Sequence, residues 1–295
     1  MDLKILEECV LCPHNCKVNR IENKVGRCRA GKDVKLALAS IHKFEEPCIS
    51  GENGSGTLFF SGCNLSCVFC QNYKISQEGK GVEITIPKLA DEMIKLQEKK
   101  VHNINIVTGF MFVPQIIEAI KIAREKGFSL PIVYNTSGFE SVETLKLLEG
   151  YVDIYLPDFK YFYDELGEEY SKVTNYFNIA TEAIKEMKRQ QPKDIINNDG
   201  IMQKGVIIRH LVLPNHIRNS KRVLKYIKDT FGKDTYISVM AQYFPSNKAK
   251  EYSNINRKLT EEEWNEILDY IDILNLENGF LQELEDDEEK YVPNF

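Results

Sequence analysis

Cys63-Asn64-Leu65-Ser66-Cys67-Val68-Phe69-Cys70, directly after the apolar run Thr57-Leu58-Phe59-Phe60, is the stretch from which the rest of the chain is read. Three thiolates at spacings of four and three residues wrap one face of a small inorganic cluster and leave its fourth metal corner without a protein ligand. Structural zinc takes four protein ligands, and clusters that only carry electrons are usually held by four cysteines. The missing ligand points to a cluster that binds something else.

Working outward, all eight cysteines (9, 12, 16, 28, 48, 63, 67 and 70) lie in the first 70 of 295 residues. The chain has no run of about 18 apolar residues, and Met1-Asp2-Leu3-Lys4 lacks the hydrophobic stretch of a signal peptide. A soluble, cytoplasmic protein is therefore expected. In that compartment clustered cysteines read as metal ligands rather than disulfides. A net charge of -6 argues against non-specific nucleic-acid binding, and 43% apolar residues suffice for a large core.

Upstream stand Cys9-Val10-Leu11-Cys12-Pro13-His14-Asn15-Cys16 and then Gly26-Arg27-Cys28. Cys9, Cys12, Cys16 and Cys28 make a tetrahedral sulfur site for zinc or a second iron-sulfur cluster, and the knuckle-like spacing suits zinc. Exchange of Cys9 for Cys48 is an open alternative, and His14 falls inside the loop. Residues 1–50 read as a cysteine-rich metal-binding extension, and residues 51–295 as the main domain with a C-terminal helix and an acidic tail. The glycines from Gly51 to Gly56 let the backbone turn before the first strand, but no lysine or helix follows to make a phosphate loop.

From residue 57 short apolar runs alternate with patterns of helical period. Strands are expected at Thr57 to Ser61, Ile104 to Thr108, Pro131 to Asn135, Val152 to Leu156, Val206 to Leu213 and Tyr236 to Tyr243. Helices are expected from Pro87, from Pro114 to Gly127, and over Ser141 to Gly150, Ser171 to Arg189 and Ser220 to Gly232. Thr260-Glu261-Glu262-Glu263 reads as a capping box opening a last helix through Trp264, Ile267, Leu268 and Ile271, and Glu283 to Glu289 as a solvated charge run. The fold class is α/β, with right-handed crossovers between parallel strands. Six strands are too few for a closed eight-unit barrel, so a partial (β/α)6 barrel is expected, with its site at the carboxyl ends of the strands. Those ends are polar: Thr108, Asn135, Thr136, Asp158, Lys160, Arg209, His210 and Gln242.

The cysteine motif, with Phe69 before its last cysteine, resembles the radical S-adenosylmethionine (radical SAM) superfamily. Phe59-Phe60-Ser61-Gly62-Cys63, Phe69-Cys70-Gln71-Asn72-Tyr73, Tyr155 to Tyr161 and Arg209-His210-Leu211-Val212-Leu213-Pro214 resemble the branch related to pyruvate formate-lyase activating enzymes, particularly a group with an extra cysteine-rich N-terminus. The resemblance implies a [4Fe-4S] cluster on Cys63, Cys67 and Cys70. Its open iron chelates the amino and carboxylate groups of S-adenosylmethionine, and Phe69 lies against the adenine. It makes Thr108, Asn135, Thr136, Asp158 and Arg209 candidates for contacting that cofactor, with an ion pair between Asp158 and Lys160 as the rival role. It further implies an anaerobic oxidoreductase that cleaves the cofactor to a 5′-deoxyadenosyl radical. Flavodoxin or ferredoxin would donate the electron, and the substrate would be a glycine in a partner glycyl-radical enzyme. Modification of another peptide or a small molecule, or a non-catalytic iron-sulfur or zinc regulator, are the alternatives. One departure stands out: activating enzymes usually carry Gly-Gly-Glu after the second strand, where this chain has Thr108-Gly109-Phe110-Met111.

Overall fold

The computed structural model describes residues 3–284, so most of the acidic run Glu283 to Glu289 lies outside the described residues. Eleven strands follow in chain order: β1 Val34–His42, β2 Ser55–Phe60, β3 Val82–Ile84, β4 Ile104–Val107, β5 Ile132–Thr136, β6 Ile154–Pro157, β7 Ile195–Ile196, β8 Met202–Val206, β9 Ile208–Leu211, β10 Ile237–Met240 and β11 Gly279–Leu281. β2, β4, β5, β6 and β8 pair in parallel in that order. β9, β10 and β11 form a second parallel set.

The single strand expected at Val206 to Leu213 is broken at Ile207 into β8 and β9. The break does not interrupt the barrel. The Ile207 N–H donates to the Tyr155 carbonyl at 3.0 Å and the Phe159 N–H to the Arg209 carbonyl at 2.7 Å, so both halves remain against β6 while β9 turns toward β10. Six parallel positions result, which is the partial barrel read from the sequence. β11 extends it, and β1 and β3 add antiparallel strands at the other edge.

Strand alternation sorts the core into two layers. Ile132, Tyr134 and Tyr155 face the helices, where Leu89, Met93 and Leu96 of the helix Ile86–Glu98 and Ile116, Ile117 and Ile120 of Val113–Glu125 are buried. Val133, Ile154 and Leu156 face inward and meet Cys48 and Ile49. Those two belong to a one-turn helix, Pro47–Ser50, that plugs the barrel floor and is fixed by a 2.7 Å hydrogen bond from Asn103 Nδ2 to the Ile49 carbonyl. Cys48 is thus an apolar filler in a cluster separate from the other cysteines. The last helix, Glu261–Leu274, has the expected capping box between Thr260 and Glu263.

Candidate active site

The loop after β2 carries Cys63, Cys67 and Cys70 to the carboxyl ends of the parallel strands, where all three line a cavity of about 240 Å³. Its backbone is held from distant parts of the chain: Ser66 N–H and Val68 N–H donate to the carbonyls of Ser171 and Tyr170, and Lys248 N–H donates to that of Val68. Each sulfur has a polar neighbour. Leu65 N–H reaches Cys63 Sγ at 3.4 Å, Ser171 Oγ lies 3.0 Å from Cys67 Sγ, and Ser76 Oγ lies 3.3 Å from Cys70 Sγ. Burial pushes all three thiols up, Cys67 to about 11, and the Lys160 ammonium opposes the shift in each. Among the described residues no three His, Cys, Asp or Glu side chains are gathered as around a single ion. The three thiols share one cavity at the strand ends.

Opposite the cysteines lies a charged network built across β5, β6, β9 and the plug. Arg209 donates through Nε to Asp158 Oδ1 at 3.0 Å, through Nη1 to Glu45 Oε2 at 3.3 Å and through Nη2 to Asn135 Oδ1 at 2.6 Å. Lys160 Nζ sits 2.5 Å from Asp158 Oδ2, so the ion pair read as the rival role for Asp158 is present. Burial alone would raise the Asp158 carboxyl, but Lys160 and Arg209 outweigh it and hold it below its ordinary value. Burial does raise Glu45 and Glu46, against the pull of Arg209.

Thr108 lines the same cavity in a left-handed conformation, φ +56°, which is an outlier for a β-branched residue. Its N–H donates to the Asn135 carbonyl at 2.9 Å. Thr136 also lines the cavity, although its hydroxyl donates to the buried Glu140 carboxyl. Phe69 packs edge-on against Tyr243, with ring centroids 5.9 Å apart. Sequence reasoning passed over Glu45 and His42, which line the cavity from the segment leading into the plug. Glu45 follows no strand of the barrel, and it is held in place by Arg209, Asn105 and Asn135, which all donate to its carboxylate.

The other cysteines form a second group. Cys9, Cys12, Cys16 and Cys28 line one small cavity with Arg20, Phe110 and Met111. This segment grips the loops at the strand ends: Arg20 Nη1 donates to the Met111 carbonyl at 2.6 Å, His14 Nε2 lies 2.8 Å from the Asn64 carbonyl, and the Cys28 carbonyl is packed against Gly62. Where activating enzymes carry Gly-Gly-Glu, Phe110–Phe112 is a buried 3₁₀ turn pinned by Arg20.

Residues 57–203 match the model of the Radical SAM superfamily. A protein of Methanocaldococcus jannaschii is 38% identical over 280 residues, covering 92% of this chain and 77% of its own. The chain belongs to the radical SAM superfamily, whose enzymes use a [4Fe-4S] cluster and S-adenosylmethionine. Among solved structures it is similar to methylornithine synthase, at 14% identity and a TM-score of 0.52 over 77% of this chain and 70% of that one. It is also similar to HydG, a maturase of the [FeFe]-hydrogenase, at 14% identity and a TM-score of 0.53 over 78% of this chain and 52% of that one. These two likenesses are of fold, and the chain spans about half the length of HydG. No helix of the described residues is long and apolar enough to cross a membrane.

Proposed function

We propose that Cys63, Cys67 and Cys70 hold a [4Fe-4S] cluster with one open iron, and that the protein uses S-adenosylmethionine there to abstract hydrogen from a substrate. The observation that carries this reading is the meeting of three thiols with Phe69, Thr108, Asn135, Asp158, Lys160 and Arg209 around one cavity at the strand ends. The fit is chemical as well as spatial: three thiolates leave one metal corner open, and hydroxyl and N–H groups stand beside the sulfurs to stabilise thiolate charge. A cluster held there would supply the one-electron chemistry by which S-adenosylmethionine is cleaved reductively.

The chain's own part is to bind, orient and shield. The Lys160 ammonium lowers the cost of three thiolates in a buried site. Asp158, held ionised by Lys160 and Arg209, offers negative charge near a sulfonium. Arg209 is committed to Asp158, Glu45 and Asn135, so its part is to position those groups. The plug closes the floor and keeps water out from below. A low-potential flavodoxin or ferredoxin is the electron donor, and the substrate is a glycine of a partner enzyme, the activity of the resembled branch.

The test is anaerobic incubation of the reduced, reconstituted protein with S-adenosylmethionine and candidate partners, read by electron paramagnetic resonance and peptide mass spectrometry. Methionine and 5′-deoxyadenosine should form, and a glycyl radical should appear on the partner. Cofactor cleavage with hydrogen lost from a different peptide or a small molecule would replace the substrate, and absence of cleavage would overturn the reading.

A further inference from the structure

Cys67 is gripped on both flanks and at its sulfur by one pair of residues. Its chain neighbours Ser66 and Val68 donate their N–H groups, at 3.0 and 2.8 Å, to the carbonyls of Ser171 and Tyr170. The Cys67 carbonyl accepts from Gln77 Nε2 at 2.8 Å and from Asn247 Nδ2 at 3.3 Å. The same Ser171 that holds the backbone also reaches the sulfur, with its Oγ 3.0 Å from Cys67 Sγ. Beside that hydroxyl stands Tyr161, its phenol oxygen 2.8 Å from Ser171 Oγ. Ser171 and Tyr161 are both fully buried, so no water competes for these bonds. The backbone enforces the arrangement. Gly167–Ser171 is a single π-helical turn, a rare form concentrated at functional sites, and Lys172 ends it in a left-handed conformation at φ +59°. The Tyr161 ring is set edge-on against Tyr176, with centroids 5.2 Å apart.

Charge decides which way the hydrogens point. A thiolate that ligates metal only accepts, so the one hydroxyl hydrogen of Ser171 goes to Cys67. Ser171 Oγ then accepts from Tyr161, whose phenol is protonated at neutral pH. Two hydrogen bonds thus run in one direction, Tyr161 to Ser171 and Ser171 to Cys67, and the first polarises the second. We propose that Ser171 is the donor that sets the reduction potential of the cluster held at Cys63, Cys67 and Cys70, and that Tyr161 is a positioning residue that keeps the Ser171 hydroxyl aimed at Cys67. The proposal rests on the reading of that site given above. Reduction by the low-potential donor protein brings one electron, and one negative charge, to the site. A hydrogen bond to a ligand sulfur therefore stabilises the reduced form more than the oxidised one, and raises the potential.

The test is a mediated redox titration of the anaerobically reconstituted full chain, followed through the electron paramagnetic resonance signal that Cys67→Ala abolishes. Ser171→Ala should lower the equilibrium constant for reduction about tenfold, which for one electron is a shift of about 59 mV to lower potential. Tyr161→Phe deletes one oxygen and keeps the ring, and it should shift the potential the same way by less. Ser171→Thr keeps the hydroxyl and should titrate close to the wild type. A merely structural Ser171 would move the unfolding midpoint and leave the potential in place. A loaded Ser171→Ala chain with the wild-type potential overturns the tuning, and equal potentials in the wild type and Tyr161→Phe overturn the part given to Tyr161. Should Ser171→Ala fail to fold or to load iron, Tyr161→Phe decides: a lowered potential supports the proposal, and an unchanged one overturns it. If Cys67→Ala abolishes no signal, the reading of the Cys63 site falls and takes this proposal with it. A signal that Cys67→Ala does abolish, indifferent to the other three substitutions, overturns this proposal alone.

Discussion

Arg209 and His210 are neighbours on β9 that face different surroundings, and each sets a measurable property. Removing the Arg209 side chain leaves Asp158 with one cation and Glu45 with none, both in a buried site. An Arg209→Ala chain should lose about 3–5 kcal/mol of stability, the cost of breaking a buried ion pair from one side, measured as a lower denaturant midpoint. His210 is buried with both ring nitrogens in use. Nδ1–H donates to the Phe159 carbonyl at 2.7 Å, and Nε2, 2.9 Å from Ser220 Oγ, accepts from that hydroxyl. Burial therefore favours the neutral ring and lowers its pKa from 6.5 to about 4. Because the unfolded chain takes up this proton first, the contribution is present above about pH 6.5 and is lost as pH falls toward 4, by about 3 kcal/mol. Urea midpoints of the wild type and a His210→Gln chain measured between pH 7 and 4 should converge toward the acid end. Parallel curves would show that His210 does not titrate there.

At the scale of elements, the capping box is the simplest case. Thr260 accepts from the Glu263 N–H, and Glu263 accepts from the Thr260 N–H, so Thr260→Ala should cost about 1 kcal/mol in thermal or chemical unfolding. That box was legible because its signal is local, as were the proline and glycine that bracket Val113–Glu125. The parallel strands were legible because each is an apolar run flanked by turns. β1 was not: it lies between β2 and the short β3, half-exposed, and its burial pattern is irregular. The helix expected from Ser171 begins only at Tyr176, because Lys172 and Asn175 adopt left-handed conformations. The plug eluded sequence reading altogether. One turn of helix at Pro47–Ser50 carries no periodicity, and only its burial among Val133, Ile154 and Leu156 defines it. At the site, the three cysteines and the polar strand ends stood in recognisable motifs, whereas Glu45 owes its place to a residue 164 positions away.

Across the whole molecule the N-terminal segment is tied to the barrel by several contacts, among them those of Arg20. Arg20 is fully buried, bonds the carbonyls of Gly31 and Met111, and lies 5.6 Å from the Phe112 ring centroid. An Arg20→Ala chain should lose about 3 kcal/mol or more, since charged hydrogen bonds and packing go together. Calorimetry should show it unfolding at lower temperature, and an unchanged transition would mean that the two parts are held by other contacts. The cysteine loop raises a question of timing. Its ligands precede by a hundred residues or more the groups that shape it, which are made later: the Ser171 and Tyr170 carbonyls, the Ser171 hydroxyl beside Cys67, and Lys248. During synthesis the thiols therefore emerge well before the frame that spaces them. Iron loaded onto a nascent chain would meet ligands without a fixed geometry, so productive loading at Cys63, Cys67 and Cys70 belongs after these later groups are in place, and stalled chains ending before residue 170 should hold none at that loop.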